Sequence, residues 1–475
     1  MNAKAPDPSE DDITASEEFL YEVRKKIYSR SVTGWFNNWR VAMVVFTQAL
    51  FYGLPWLQWD GRQAVLLDLS TRKFYFFGMI LWPQDVIFLA LLLIISAYGL
   101  FLFTAIAGRL FCGYACPQTV YTEIFMWIER KVEGDRLARI RLDGSDWNAK
   151  KIGKKALKHG LWAAVALWTG FTFVGYFTPI TLLAGQVISA SLGPWQTFWI
   201  LFYGFATYGN AGFMREQVCK YMCPYARFQS VMIDKDTLIV TYDTERGEPR
   251  GKRGKNVDPR TEGKGDCIDC SICVQVCPTG IDIRDGLQYM CIGCGACVDA
   301  CDQVMDKVGY PRGLIRYSSE NAIKNKWTKR QQWAHLLRPR ILIYSALLLV
   351  MVGLFVGGLA TRDPLKMNVM RDRGVLSREI PGGLVENVYQ IQFMNTTEKP
   401  RKIRVSVKGL DGLEGAAVHD RDLYNLPAST NILEPLEVTI PVDNAKKGIY
   451  KIEITATSEG DQPISASSKT TFIVP

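Results

Sequence analysis

The stretch GDCIDCSICVQVCPTGIDIRDGLQYMCIGCGACVDACDQVMDK, residues 265–307, decides how this chain is read. It holds Cys267-x-x-Cys270-x-x-Cys273-x-x-x-Cys277-Pro278 and repeats that spacing at Cys291, Cys294, Cys297 and Cys301. Three thiolates two residues apart line a tight loop and hold three corners of one iron cube, while the fourth of each run reaches across to the other cube. The spacing therefore predicts two [4Fe–4S] clusters, one on Cys267, Cys270, Cys273 and Cys301, the other on Cys291, Cys294, Cys297 and Cys277. Structural zinc uses pairs of cysteines more than two runs of four. Gly293, Gly295 and Ala296 leave backbone amides free to approach the cluster sulfurs, and the second run ends in Cys301-Asp302 where the first has Cys-Pro.

Moving outward, the chain's twelve cysteines all lie between positions 112 and 301. The remaining four form two matched pairs, Cys112-x-x-x-Cys116-Pro117 and Cys219-x-x-x-Cys223-Pro224. Residues four apart share a helix face, so each pair is expected to present two sulfurs on one face, with the proline ending the helix. We assign the catalytic role to these four. As a soft thiolate set they suit Cu(I), zinc or a further iron–sulfur cluster, and the spacing does not choose among these.

Around the cysteines lie long apolar runs. A helix needs about 20 apolar residues to cross a bilayer, and runs at 41–59, 86–107, 161–180, 195–213 and 341–360 meet that length. Basic residues crowd residues 108–160, among them Arg109, Arg139, Lys151 and Lys158, and the tract between the fourth and fifth runs. Basic loops stay in the cytoplasm. That places residues 1–40 (an N-terminal arm with no apolar leader) and the cluster loops inside the cell, and everything after residue 361 outside. The formal net charge of +9 thus reads as topology and anionic lipid, not nucleic acid. Residues 74–82, apolar but short, are expected to be interfacial or re-entrant.

The tail changes period. Tyr389, Ile391 and Phe393 alternate with polar residues, as do Ile403, Val405 and Val407, then Leu436, Val438, Ile440 and Val442, then Tyr450, Ile452 and Ile454. Period two, broken at Asp411–Gly412 and Lys447–Gly448, predicts antiparallel strands of an immunoglobulin-like sandwich. The fold class is thus a polytopic α-helical membrane protein of about five transmembrane helices with an inserted two-cluster ferredoxin-like domain and a C-terminal all-β immunoglobulin-like sandwich. The divisions are 1–40 arm, 41–240 four-helix membrane region with both Cys-x3-Cys-Pro motifs, 241–264 basic linker, 265–330 ferredoxin-like domain, 341–360 fifth helix and 361–475 sandwich.

Other chemistries lack their residues. His159, His335 and His419 are the three histidines; none lies inside a run, so paired axial ligands for a membrane haem are missing. There is no phosphate-cradling P-loop and no dinucleotide-binding glycine fingerprint. Met367 and Met370 could offer thioethers to copper, but ordinary interfacial residues are the better reading.

The sequence resembles the accessory proteins of cbb3-type cytochrome c oxidase, the CcoG/FixG/RdxA family. The resemblance runs through GRQAVLLDLSTRKFYFFGMILWPQD (61–85), FCGYACPQTVYTEIFMWIER (111–130), REQVCKYMCPYARFQSVMIDKDTLIVTYD (215–243) and the opening stretch. It implies a bacterial inner-membrane protein that helps build the oxidase by reducing Cu(II) to Cu(I), with the eight ferredoxin cysteines as cluster ligands. Cys112, Cys116, Cys219 and Cys223 match the family's membrane-edge pairs, which also resemble those of membrane quinol dehydrogenases. The implied partners are oxidase subunits or copper-delivery proteins and the lipid bilayer. Two further readings stand beside this one: a quinol dehydrogenase relaying electrons to a periplasmic partner, and a non-catalytic oxidase assembly scaffold. The electron donor is not written in the sequence.

Overall fold

A computed structural model describes residues 26–252, 263–371, 377–397, 399–410, 415–419, 422–428, 430–442, 446–459 and 463–475. Most of the arm (1–25), part of the basic linker (253–262) and the expected Asp411–Gly412 turn lie outside the described residues. The chain divides into two compact units, one of residues 1–48, 100–169 and 201–344, the other of residues 49–99, 170–200 and 345–475. The five changeovers fall inside the five apolar runs read from the sequence.

Helices Val86–Ala107 and Pro339–Ala360 match the second and fifth runs, and both are long and apolar enough to cross a membrane. Almost none of either apolar window is buried within the protein. A helix of that composition left uncovered is not a soluble core helix; its solvent is lipid. The other three runs differ from expectation. The first helix is Trp35–Gly53, ending where Pro55 opens a short 3-10 turn, so it starts and stops about six residues early. A proline has no N–H to continue the ladder. The third begins in the basic segment as Ala149–Val174 and stops short of Pro179, after which Ile180–Ile188 is a separate helix. The fourth is α-helical only over Pro194–Thr207 and widens to π-helix over Tyr208–Met214. Among the described residues, then, two helices pass the crossing criterion where five runs had been expected to.

In the first unit the two cysteine runs form a small α/β body. Strands Ile239–Tyr242 and Ile315–Ser318 pair antiparallel at its edge, and helices Ile272–Val276 and Ala296–Val308 follow the two cysteine loops. Val240, Tyr242, Met305, Leu314 and Ile315 are buried around the cysteines.

In the second unit, residues 74–82 are not a re-entrant segment. They form part of a three-stranded antiparallel meander of Val65–Asp68, Lys73–Phe76 and Met79–Leu81. Buried Gln63 ties the meander to the break after the third helix, donating to Gly175 O (2.8 Å) and accepting from Ile180 N (2.9 Å). The tail is a two-sheet sandwich, with a five-stranded and a four-stranded sheet. Tyr389, Ile391, Phe393, Ile403, Val405, Leu436, Val438, Ile440, Ile452 and Ile454 fill its core, while Val442 at a strand's end is exposed. The alternation fixed which face turned inward because a one-residue slip would expose the whole set. Asp85, ahead of helix Val86–Ala107, is buried and pairs with Arg362 and Lys366 (2.7 Å) at the sandwich's entry.

Candidate functional site

The two ferredoxin runs build two cavities. One is lined by Cys267, Cys270, Cys273 and Cys301 with Tyr242 and Arg284. The other is lined by Cys277, Cys291, Cys294 and Cys297, and Cys273 forms part of its wall as well. The structure therefore brings together the crossed sets that the spacing predicts, and the two cavities share a wall at Cys273. Burial pushes the thiols up, Cys273 to about 11 and Cys291 and Cys301 to about 12. Thiolates become stable in such surroundings only against a cationic centre. Among the described residues no three His, Cys, Asp or Glu groups converge closely enough to hold a single ion. Sulfurs spread around a cavity suit a cube of irons better than one zinc, whose ligand bonds are only about 2.3 Å long. The donor set fits the iron–sulfur group.

The backbone shows how each loop is made. Asp269 and Ser271 in the first loop have φ of +52° and +54°, and the equivalent Gly293 and Gly295 have +64° and +71°. Left-handed residues turn successive N–H groups into the loop, forming a concavity for an anionic group.

The paired cysteines need a correction. Cys112 lies in the short helix Leu110–Tyr114, but Cys116 is extended and caps the next helix, Pro117–Glu133. Cys219 lies in the π-turn Val218–Met222, and Cys223 caps helix Pro224–Met232 in the same way. Each pair thus straddles a helix junction and does not lie on one helix face. Proline drives its predecessor out of the helical region and is itself well placed as a first helical residue. Cys112 and Cys219 lie within electrostatic reach of each other, as do Cys116 and Cys223, so the two junctions share one neighbourhood. Cys112 Sγ donates to Gln229 Oε1 at 3.3 Å, and burial pushes its thiol to about 12 and that of Cys219 to about 11.

This neighbourhood packs on the second cluster loop. A Cβ on Gly113 would come within 2.8 Å of Ile292 O, so only glycine lets the short helix approach so closely. Tyr114 Oη donates to Cys294 O at 3.2 Å, Tyr317 Oη donates to Gly293 O, and Cys112 packs beside Ile292 and Cys294. The Asp299 carboxylate caps the first apolar helix, accepting from Phe36 N (3.2 Å) and Asn37 N (2.8 Å).

Several of these residues could not be told from the sequence. Arg109, Arg139, Lys151 and Lys158, counted among topology-marking basic residues, are all buried. Arg139 pairs with Glu129 at 2.9 Å and Lys158 with Glu133 at 3.1 Å, while Lys151 is held by the carbonyls of Asp143 and Ser145. Arg40, at the start of an apolar run, pairs with Glu123 at 3.1 Å and reaches Cys294. The usable signal was the carboxylates of Glu129 and Glu133, four apart on one face of the helix Pro117–Glu133, with Glu123 on a neighbouring face. The histidines do not form a site: His159 bonds Tyr208 Oη at 2.9 Å, His335 stacks on Trp327, and His419 lies in a sandwich strand. Met367 packs into the sandwich and Met370 is exposed, so the two thioethers do not meet.

Residues 214–320 match a family model described as a 4Fe-4S dicluster domain, residues 89–133 one described as a 4Fe-4S binding domain, and residues 355–475 one described as the IG-like fold at the C-terminal of FixG. Nitrogen fixation protein FixG of Rhizobium meliloti (strain 1021) is 37% identical over 463 residues, covering 90% of this chain and 88% of that protein. Protein RdxA of Cereibacter sphaeroides is 41% identical over 414 residues, 84% of this chain and 87% of its own length. Among solved structures, a FixG-related protein from Vibrio parahaemolyticus is 26% identical, covers 24% of this chain and 97% of its own, and has a TM-score of 0.20.

Proposed function

The chain belongs to the FixG/RdxA family of iron–sulfur redox proteins, and from that premise we propose that it reduces Cu(II) to Cu(I) at the membrane for assembly of a cbb3-type cytochrome c oxidase. The observation that carries this reading is the continuity of the site: two cysteine cavities with a common wall at Cys273, the second of them packed against the paired cysteines. Clusters bound there supply one-electron transfer. Cys267, Cys270, Cys273 and Cys301 hold one, and Cys277, Cys291, Cys294 and Cys297 hold the other. Cys112, Cys116, Cys219 and Cys223 meet the metal substrate; each Cu(II) takes one electron, supplied to the chain by a cytoplasmic donor or a quinol that is oxidised in turn, and leaves as Cu(I), which soft thiolates favour over the harder oxidised ion. Their spread across two junctions suits a surface that releases its cargo.

The same reading has the chain cross the bilayer five times, cluster loops in the cytoplasm and sandwich in the periplasm, docking oxidase subunits or copper-delivery proteins. The five unit changeovers inside five apolar runs and the basic segments support it. Reporter fusions after residues 145, 330 and 475 test it: a periplasmic signal at 330 or a cytoplasmic one at 475 sinks the topology. The chemistry is tested by anaerobic copper reduction with purified protein. Loss of activity in both Cys270→Ser and Cys294→Ser is expected, and full activity in either removes the clusters from the path.

A second reading, a quinol dehydrogenase, draws on one observation. A cavity of about 390 Å³ is lined by His159, Trp162, Phe213, Met126, Arg215 and Pro278, the last next to Cys277. Quinol-dependent reduction of the clusters would favour it, and clusters left oxidised by excess quinol would end it.

A further inference from the structure

Arg109 is 7% exposed. Its guanidinium donates to two carbonyls, Ala226 O at 2.6 Å and, over a long 3.5 Å, Cys291 O. Among the described residues no carboxylate pairs with it. A buried cation with carbonyl partners alone is costly, because carbonyl dipoles replace only part of its hydration. The side chains that reach it electrostatically are the sulfurs of Cys112, Cys291, Cys219 and Cys223, which carry negative charge once they are thiolates on a metal. These belong to two different sites, one cysteine of the second cavity and three of the four membrane-edge cysteines. The backbone of Arg109 is also part of the joint, since a Cβ on Gly293 would lie 3.3 Å from its carbonyl carbon.

Among the described residues the first cavity has no such residue. Its arginine, Arg284, is bound to carboxylates on two sides, Asp282 at 2.6 Å and Asp269 at 2.7 Å. Its positive charge is therefore largely neutralised before it reaches Cys273.

We propose that Arg109 is a positioning residue whose guanidinium serves as the shared counter-charge of the second cysteine cavity and the membrane-edge cysteine pairs. It rests on the reading of the cavities as cluster sites. It has two consequences. The cavity of Cys277, Cys291, Cys294 and Cys297 is the one electrically joined to the pairs, so electrons pass between clusters and pairs there. An uncompensated positive charge beside it also favours the more negative, reduced state, so its occupant is easier to reduce than that of the first cavity.

The test is a redox titration of the two cluster signals by electron paramagnetic resonance on the full chain, purified anaerobically in detergent with iron counted. In Arg109→Gln one signal should become about tenfold harder to reduce, equivalent to about 59 mV for one electron, while the other stays. Arg284→Gln should leave the Arg109-sensitive signal in place. Should Arg109→Gln fail to accumulate, Arg109→Lys carries the test. It keeps the charge but not the two-carbonyl fork, so the same signal must move the same way by less. No movement, equal movement of both signals, or one signal moved by both arginines overturns the proposal. Full iron and two cluster signals in the wild-type chain that neither Arg109 variant moves would sink this inference alone; a wild-type chain without cluster signals would sink the underlying reading.

Discussion

In the first cysteine loop the left-handed positions are Asp269 and Ser271; in the second they are Gly293 and Gly295. The spacing is the same and so is the backbone, yet the residues differ because the neighbours do. A Cβ on Gly295 would lie 2.7 Å from the Phe36 ring. The second loop is enclosed by the first apolar helix, by Arg40 and by Arg109, whereas Asp269 at the first loop keeps partial contact with water, Arg284 being nearly covered. Two copies of one motif thus sit in different surroundings. One is partly open to water at Asp269, the other is enclosed.

The comparison can be broken at several points. The largest effect should come from ligand removal: Cys270→Ser and Cys294→Ser should each lose about half of the bound iron, four atoms per cluster. Only Cys294→Ser is expected to lower the yield of folded protein, because its loop carries the contacts to Phe36, Arg40 and Tyr114. Equal yields, compared by size-exclusion chromatography, would mean that the enclosure adds nothing to folding.

Gly295→Ala comes next. A left-handed alanine is strained, and its methyl meets Phe36, so a loss of about 1–3 kcal/mol is expected. Ser271→Gly at the equivalent site should gain a few tenths to about 1 kcal/mol by relieving the same strain. Denaturant-induced bleaching of the clusters measures both, and matched effects of one sign would make the loops equivalent after all.

A smaller effect is expected at the cap. Asp299→Ala removes the acceptor for Phe36 N and Asn37 N and should cost about 1 kcal/mol, whereas the equivalent position in the first run, Gln275, caps no helix. Gln275→Ala should therefore be nearly silent in the same unfolding assay.

The smallest effect concerns acid. The hydrogen bonds from Arg284 hold the Asp282 carboxyl below its ordinary value. Its stabilisation is therefore fully present above the usual carboxylate range and fades as pH falls through the lowered value. The Asp282 side chain is partly exposed and Arg284 nearly covered, so water screens the pair only in part. The first cluster should be lost slightly sooner than the second below about pH 4, and Asp282→Asn should remove that pH dependence. Rates of iron release at stepped pH decide it.

How much of this was legible can be argued residue by residue. The gathering of the eight ferredoxin-run cysteines into two crossed sets and the inward set of the sandwich were readable because each depends on local spacing: a loop reaches only so far, and a strand alternates with period two. The helix ends at Pro55 and after Val174 were misread because hydropathy averages over breaks that a single proline enforces. The Cys-x3-Cys pairs were misread for the same reason, since Pro117 and Pro224 start helices there.

What the sequence determined by itself was which sulfurs gather, and in what grouping. What only the tertiary structure decided was the wiring. Arg109, Arg40 and Asp299 look like ordinary charged residues until distant segments fold over them. Whether a charge is a solvated surface group or a buried counter-ion is a property of everything that excludes water from it, and no stretch of sequence contains that alone.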